Sequence, residues 1–480
     1  MRSRKREGAV SPFGSARDGF GLSRREILTG GIGAGALIAL PDLGLSGHPG
    51  TRPAVSDGAA IRYAFLYGTP DPGSAPGASV VAVMCPAARS AARLARRHAP
   101  VQVATKLAAA PVSSPDQATT ALATVHGVDD GARVTLTLID AASAAIAQQG
   151  SVTVADVPDG ANILVTPVFA PGSAIITLVM AITVPASRRM IRKAHPHTGG
   201  ATSQWATTWR SHHALAYFDR GSGAFTGPFH LSDEPSLALS TAAANDSDLV
   251  LWTTREPQPG DSAETRAMAL MSRVSVFPLG SGKARFSGPA PAPWPGGEPV
   301  VTLPNGDVAR LVRGRDVQVC SARTGNVTEL AVAPLSRIRA KQSAVTMQRC
   351  PDGTVFMTKP GVGVAVVADP ADSFRTRAHV RFPVPASPYG APWSKAVLAP
   401  AGDILYVLGS AGTGGLGAYD VASGALTASF SEGRQYSGLY QLPSGALLAV
   451  GTENPRLVFF SSALSPLGTA DTNLHISAVF

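Results

Sequence analysis

From Ala399 to Phe430 the chain reads APAGDILYVLGSAGTGGLGAYDVASGALTASF. A Pro-x-Gly turn leads into an apolar run, a Gly-rich turn and a second apolar run ending in Tyr-Asp; a Ser-Gly turn and a third run follow. The pattern recurs in LPNGDVARLV with Gly306, CPDGTVFMTK with Gly353 and LPSGALLAVG with Gly445. Pro presets the first corner of such a turn, and Gly takes the backbone angles that other residues avoid. The later turn recurs in phase: Thr324-Gly325, Ser423-Gly424, and degraded forms in VVADPADSF and VFFSSALSP. Upstream, AYFDRGSGAF, VSVFPLGSGKARF and TLIDAASAAI fit the same turn, which makes seven copies.

Each unit contains about four runs of five to eight residues, which predicts four strands per unit. The second runs, ILYVLG, ALLAVG, LVLWTT and IITLVMAI, are apolar at successive positions. Strand side chains alternate between faces, so these runs need cover on both faces. A four-stranded sheet obtains that cover only between two similar neighbours. A period of about 40–50 residues with four strands per unit therefore predicts an all-β ring of sheets, a β-propeller. Seven four-stranded blades are expected, with eight as the alternative. IRYAFLYG at Ile61–Gly68 and LHISAVF at Leu474–Phe480 are expected to share one blade, joining the N- and C-terminal strands. SVVAVMCP at Ser79–Pro86 resembles AVTMQRCP at Ala344–Pro351 and is expected to be an inner strand.

The segment ILYVLGSAGTGGLGAYDVASGAL resembles the strand–turn–strand core of the broad Tyr-Val-Thr-Asn-repeat, WD40-like and quinoprotein-like propeller group, with its Asp-x-x-Ser/Thr-Gly turn. The resemblance covers about residues 60–480. It implies a fold and leaves activity open, because propellers serve as enzymes, ligand binders and scaffolds alike. The Trp-Asp dipeptide of WD40 repeats is missing, as are the regularly placed Trp residues of many quinoprotein propellers.

Composition narrows the class. Charged residues make up only 15% of the chain, while 50 Gly and 39 Pro argue against a mostly helical protein. The net charge of +9 is a mild excess, and no nucleic-acid motif accompanies it. Ser23-Arg24-Arg25-Glu26-Ile27-Leu28, followed by a short Gly-diluted apolar segment, resembles a bacterial twin-arginine export signal. The resemblance implies that the Tat export machinery is a partner, reads Arg24 and Arg25, and delivers the protein to the cell envelope or beyond. The expected organisation is a signal region over 1–47, a linker over 48–60 and the propeller over 61–480. Leu45-Ser46-Gly47 is the nearest approach to a cleavage site, so an uncleaved anchor is the alternative. Cys85, Cys320 and Cys350 make an odd number; Cys320 and Cys350 are expected either to pair or to be buried free thiols.

Candidate chemistry sits where the repeat is interrupted. Arg188–His213, between the second and third strands of one blade, contains His195, His197, His212 and His213 together with Trp205, Trp209 and Arg210. The imidazoles suit a transition-metal ion, although their spacing matches no recognised ligand motif. Trp205, Trp209 and Arg210 suit another ligand, and a plain polar loop explains the segment as well. Pro86–Pro100 predicts a helix with Arg89, Arg93, Arg96 and Arg97 near one face. Arg255–Met268 reads as a polar loop. The carboxylates Asp219, Asp233, Glu234, Asp246, Asp248, Asp403 and Asp420 are expected mostly in turns, where Asp serves the backbone. No nucleophile elbow, phosphate loop or zinc-protease motif is present. The leading expectation is a non-catalytic exported propeller that binds a ligand or partner at one end of its central channel. The alternatives are a secreted lyase, glycosidase or quinone-dependent dehydrogenase, and a metal-handling protein that uses the His-rich insertion.

Overall fold

The computed structural model describes residues 63–70, 79–84 and most of 111–479; the longest internal stretches outside the description are 195–200, 256–270, 292–298, 336–345 and 385–394. The signal region, Cys85, Pro86–Pro100, His195, His197, Asp233 and Glu234 therefore lie outside the described residues, as does most of Arg255–Met268.

Every sheet is antiparallel. β1 (Tyr63–Pro70) and β2 (Ser79–Met84) begin a sheet that the end of the chain completes. The first four-stranded sheet follows: β3 (Val112–Ser113), β4 (Thr119–Val128), β5 (Gly131–Asp140) and β6 (Ile146–Ala155). The second is β7 (Asn162–Phe169), β8 (Ile175–Ala194), β9 (Ala201–Asp219) and β10 (Ala224–His230). The third is β11 (Leu237–Ala244), β12 (Asp248–Arg255), β13 (Met271–Pro278) and β14 (Phe286–Pro291). The fourth is β15 (Val300–Thr302), β16 (Val308–Val312), β17 (Asp316–Cys320) and β18 (Val327–Ala331). The fifth is β19 (Thr346–Arg349), β20 (Val355–Lys359), β21 (Val364–Asp369) and β22 (Arg375–Arg381). The sixth is β23 (Lys395–Leu398), β24 (Ile404–Leu408), β25 (Leu416–Asp420) and β26 (Leu426–Phe430). The seventh is β27 (Tyr436–Gln441), β28 (Leu447–Gly451), β29 (Arg456–Phe460) and β30 (Pro466–Asp471). The final strand, β31 (Leu474–Val479), pairs with β1.

The chain is thus a β-propeller with the seven expected four-stranded sheets. The chain-end strands pair with each other as expected, but in a three-stranded sheet ordered β2-β1-β31 that is additional to the seven, so the described residues form eight sheets. Ser79–Met84, expected as an inner strand, is an edge strand of this sheet, paired with β1 on the side away from β31. Its sequence counterpart, β19, is the first strand of its sheet.

Burial follows the reasoning on two-faced strands. All five residues of β16 and of β20 are buried, as are four of five in β24 and in β28. No residue of the fourth strands β18 and β26 is buried. Six apolar clusters fill successive sheet–sheet boundaries, each drawing on two neighbouring sheets. At the first boundary Val134, Leu136 and Val154 meet Val165, Leu178 and Phe218. At the last, Tyr406 and Leu416 meet Leu447 and Phe460. Fully burying one such side chain is worth about 1.5–3 kcal/mol, so each boundary stabilises sheets that could not stand alone.

Side chains also lock the boundaries. Tyr217 Oη donates to Ser281 O at 2.7 Å, and Tyr406 Oη donates to Ser462 O at 2.9 Å. Phe286 of the third sheet lies against Gly325 in a turn of the fourth, where an added Cβ would fall 2.0 Å from the ring. Cys320 belongs to the third–fourth boundary and Cys350 to the fifth–sixth. Both thiols are free and buried, which settles the choice left open by their spacing. Burial is the main cause of the raised pKa of each, with Cys320 pushed up to about 12.

Candidate binding face

Antiparallel topology sorts the connections. The turns joining first to second strands and third to fourth strands fall at one end of the ring. Those joining second to third strands, and each sheet to the next, fall at the other. First strands of neighbouring sheets touch, β11 with β15, β15 with β19, and β23 with β27, which places them innermost around the axis.

The first end is built of tight turns. Gly306 N donates to Leu303 O at 3.0 Å, Gly353 N to Cys350 O at 3.0 Å, Gly402 N to Ala399 O at 2.8 Å and Gly445 N to Leu442 O at 2.9 Å. These turns abut in succession: Asn245 Nδ2 donates to Gly306 O at 2.7 Å, and Pro304 lies beside Gly353. At the third-to-fourth turns, Asp420 Oδ1 accepts from Ser423 N at 2.7 Å and Asp140 Oδ1 accepts from Ser143 N at 2.7 Å. Asp219 Oδ1 accepts from Gly221 N at 2.8 Å. These bonds hold the carboxyls of Asp219 and Asp420 below the usual range. Asp219 and Asp420 therefore serve the backbone of their turns, as their sequence positions lead one to expect, and Asp140 does the same. Asp248 is the buried member of an ion pair with Arg285 at 3.0 Å. Two concavities also lie between neighbouring sheets. One, of about 460 Å³, is lined by Thr119, Leu138, Gln148 and Arg220; the other, of about 600 Å³, by Phe229, His230, Ser281 and Lys283; no described carboxylate lines either.

The opposite end bears the insertions. Arg188–His213 falls between second and third strands, as the repeat implied, but it is not a plain loop: β8 and β9 continue in register from Ile175↔Asp219 to Ala194↔Ala201. Their neighbours stop short, since β7 reaches only Thr183 and β10 only Ala214. Beyond those points β8 and β9 form a two-stranded ribbon, broken by one register shift between Pro185 and Ser187.

At the ribbon's base Thr183 and Ser211 share a hydroxyl hydrogen bond of 3.0 Å. The neighbouring residues His212 and His213 occupy opposite faces of β9. His213 is 3% exposed, on the face shared with Leu215 and Tyr217, and its Nε2 is buried without a hydrogen-bond partner. Desolvation, then repulsion from His212, lowers its pKa to about 4. His212 is half-buried and lies 6.0 Å, ring to ring, from His230. The structure therefore brings His212 to His230 rather than to His213. Among the described residues no cluster of three His, Cys, Asp or Glu side chains could hold a metal ion. Arg210 is exposed and opposite Val184; Trp209 is opposite Pro185 and Trp205 opposite Met190. Elsewhere at this end Lys395, at the start of β23, lies 5.1 Å from the centre of the Tyr440 ring, and partial burial lowers its pKa.

A polar row not foreseen from the sequence runs from the buried Arg310 and Gln318 to the exposed Glu329. Arg310 is 1% exposed; its Nε and Nη2 donate to Gln318 Oε1 at 2.9 and 2.7 Å, and Gln318 Nε2 donates to Glu329 Oε2 at 3.0 Å. Its guanidinium lies 5.1 Å over the Trp252 ring of the adjacent sheet. The row follows cross-strand register, which sequence spacing does not display.

No family model and no curated protein matches the chain. Among solved structures it is similar to the dihydro-heme d1 dehydrogenase NirN in complex with DHE, at 11% identity and a TM-score of 0.50, covering 92% of this chain and 79% of that one. It is also similar to BamB from Moraxella catarrhalis, at 12% identity and a TM-score of 0.42, covering 76% and 88%. A third is a catalytically inactive variant of virginiamycin B lyase from Staphylococcus aureus with quinupristin, at 12% identity and a TM-score of 0.34, covering 62% and 80%. The first of these similarities speaks for the fold alone. No helix among the described residues is long and apolar enough to cross a membrane.

Proposed function

We propose that the chain is an exported β-propeller that binds a ligand or partner at the insertion-bearing end of its central channel, without catalysing a reaction there. The carrying observation is the asymmetry of the two ends. One is closed by near-identical tight turns whose polar groups are used internally, while the other carries the ribbon and the sheet-to-sheet connections. Binding surfaces in repeat folds form where loops vary on a constant scaffold.

The test is a pair of variants screened with cell-envelope glycans, divalent metal ions and small sugars. One has residues 185–209 replaced by an Asn-Gly turn between Val184 and Arg210; the other has residues 256–270 replaced by a short turn. Loss of a ligand held by the parent, with an unchanged melting transition, supports the reading. Retention of that ligand by both variants, or turnover by the parent, contradicts it. Export rests on Arg24 and Arg25 and the apolar segment after them. Arg24→Lys with Arg25→Lys should retain the full-length precursor inside the cell, and unchanged export would remove that part of the reading.

A further inference from the structure

The ribbon leaves two strand edges open. Among the described residues nothing pairs with β8 beyond Thr183 on the side where β7 lies, nor with β9 beyond His213 on the side of β10. The open edge of β8 runs from Val184 to Ala194, roughly 36 Å at 3.3 Å per residue. It continues the line of β7, an innermost strand, so it stands on the channel side of its sheet.

Charge distinguishes the two edges. β8 carries Arg188, Arg189, Arg192 and Lys193, whereas β9 from Ala201 to Thr208 carries no charge. No Asp or Glu occurs from Gly160 to Phe218. The order of the cations matters as much as their number. Adjacent strand positions alternate between faces, so 188 and 192 fall on one face of the ribbon and 189 and 193 on the other. A flat anionic surface such as a bilayer would meet only one of these faces. A second copy of the ribbon would bring like charges together across the new ladder, which destabilises pairing. A strand added along the edge presents its own side chains to both faces, opposite all four cations.

We propose that the β8 edge from Val184 to Ala194 takes up an extended acidic segment of a partner protein as an added strand. This is β-augmentation, in which main-chain hydrogen bonds hold the segment and the cations select it. The inference deepens the binding role of this end and rests on that reading. The spacing 188/189 and 192/193 specifies the partner's pattern: acidic pairs separated by two uncharged residues.

The probe is a fluorescein-labelled peptide of sequence Thr-Val-Glu-Glu-Val-Thr-Glu-Glu-Val-Thr, titrated by fluorescence anisotropy against the full chain. It should bind at least about tenfold more tightly than the same peptide with Lys for Glu, and weaken as salt is added. Methylating alternate backbone nitrogens along one edge should abolish binding while leaving charge intact. Arg188→Glu, Arg189→Glu, Arg192→Glu and Lys193→Glu combined should abolish it with the melting transition preserved; the Asn-Gly ribbon truncation is the second variant should that one fail to fold. Equal binding of the methylated peptide overturns the inference in favour of charge alone. Ribbon-dependent binding of phosphatidylglycerol vesicles without peptide binding overturns it in favour of a lipid surface. Absence of peptide binding, with self-association of the variant Arg188→Gln, Arg189→Gln, Arg192→Gln and Lys193→Gln, overturns it by showing that the cations only guard the edge. Any of these with a loop-end ligand still held would leave the broader binding role standing.

Discussion

Single residues show where local strain and buried charge are concentrated. At the third-to-fourth turns the left-handed position is Gly325 at φ +74° in one sheet and Ala144 at φ 56° in another. An L-residue with a Cβ is strained there by about 1–2 kcal/mol. Ala144→Gly is therefore expected to stabilise the protein by about 0.5–1 kcal/mol, the strain relieved less the chain entropy glycine loses on folding. Gly325→Ala is expected to destabilise it by about 1–3 kcal/mol, since it adds backbone strain and collides with Phe286. Urea titrations of both variants check the opposite signs. His213 gives a pH dependence. Its folded pKa of about 4 lies below the ordinary 6.5, so the unfolded chain binds its proton first as pH falls. Its contribution is complete above pH 6.5 and is lost as pH drops towards about 4, on the order of 3 kcal/mol in total. Stability measured from pH 7 to 4 should show this decline, and His213→Leu should flatten it. Arg310→Ala should cost about 1–3 kcal/mol by leaving the buried Oε1 of Gln318 without its donor.

At the level of strands and hairpins, the sequence displayed whatever burial had imposed on it. The runs at 175–182, 249–254, 404–409 and 446–451 are apolar because both faces are covered, and they all proved to be second strands. The seven Ser/Thr-Gly-type turns likewise join third to fourth strands. The ribbon was not legible because Arg, Thr and Ser fill positions that an apolar–polar alternation would otherwise mark. The same reasoning explains why Trp205, Trp209 and Arg210 could be noticed but not placed. Their register depends on pairing with Met190, Pro185 and Val184 across a bulge. The Arg310–Gln318–Glu329 row joins residues 8 and 11 positions apart through neighbouring strands, a relation that appears only once the sheet exists. Because the described residues of the six boundary clusters all lie outside 185–209, truncation of the ribbon to Asn-Gly should leave the melting temperature within a few degrees of the parent. Scanning calorimetry of the truncated chain provides the check.

Taken as a whole, the molecule is a succession of sheets, each too small to bury its own two faces. The antiparallel connections separate an end of tight turns from an end of insertions, and pairing of the first and last strands closes the scaffold that carries both ends. Tyr67 of β1 is paired with Ala478 of β31, more than 400 residues later in the chain. Paired antiparallel strand residues lie about 4.5–5.5 Å apart at Cα, within the range a disulfide spans. The decisive measurement is oxidation of Tyr67→Cys with Ala478→Cys in a Cys85→Ala background, read by non-reducing electrophoresis and thermal denaturation. Closure of the circle predicts a monomeric, faster-migrating cross-linked species whose melting temperature is raised by several degrees over the reduced form. Two thiols that stay free under oxidation, or that join only separate chains, would contradict it.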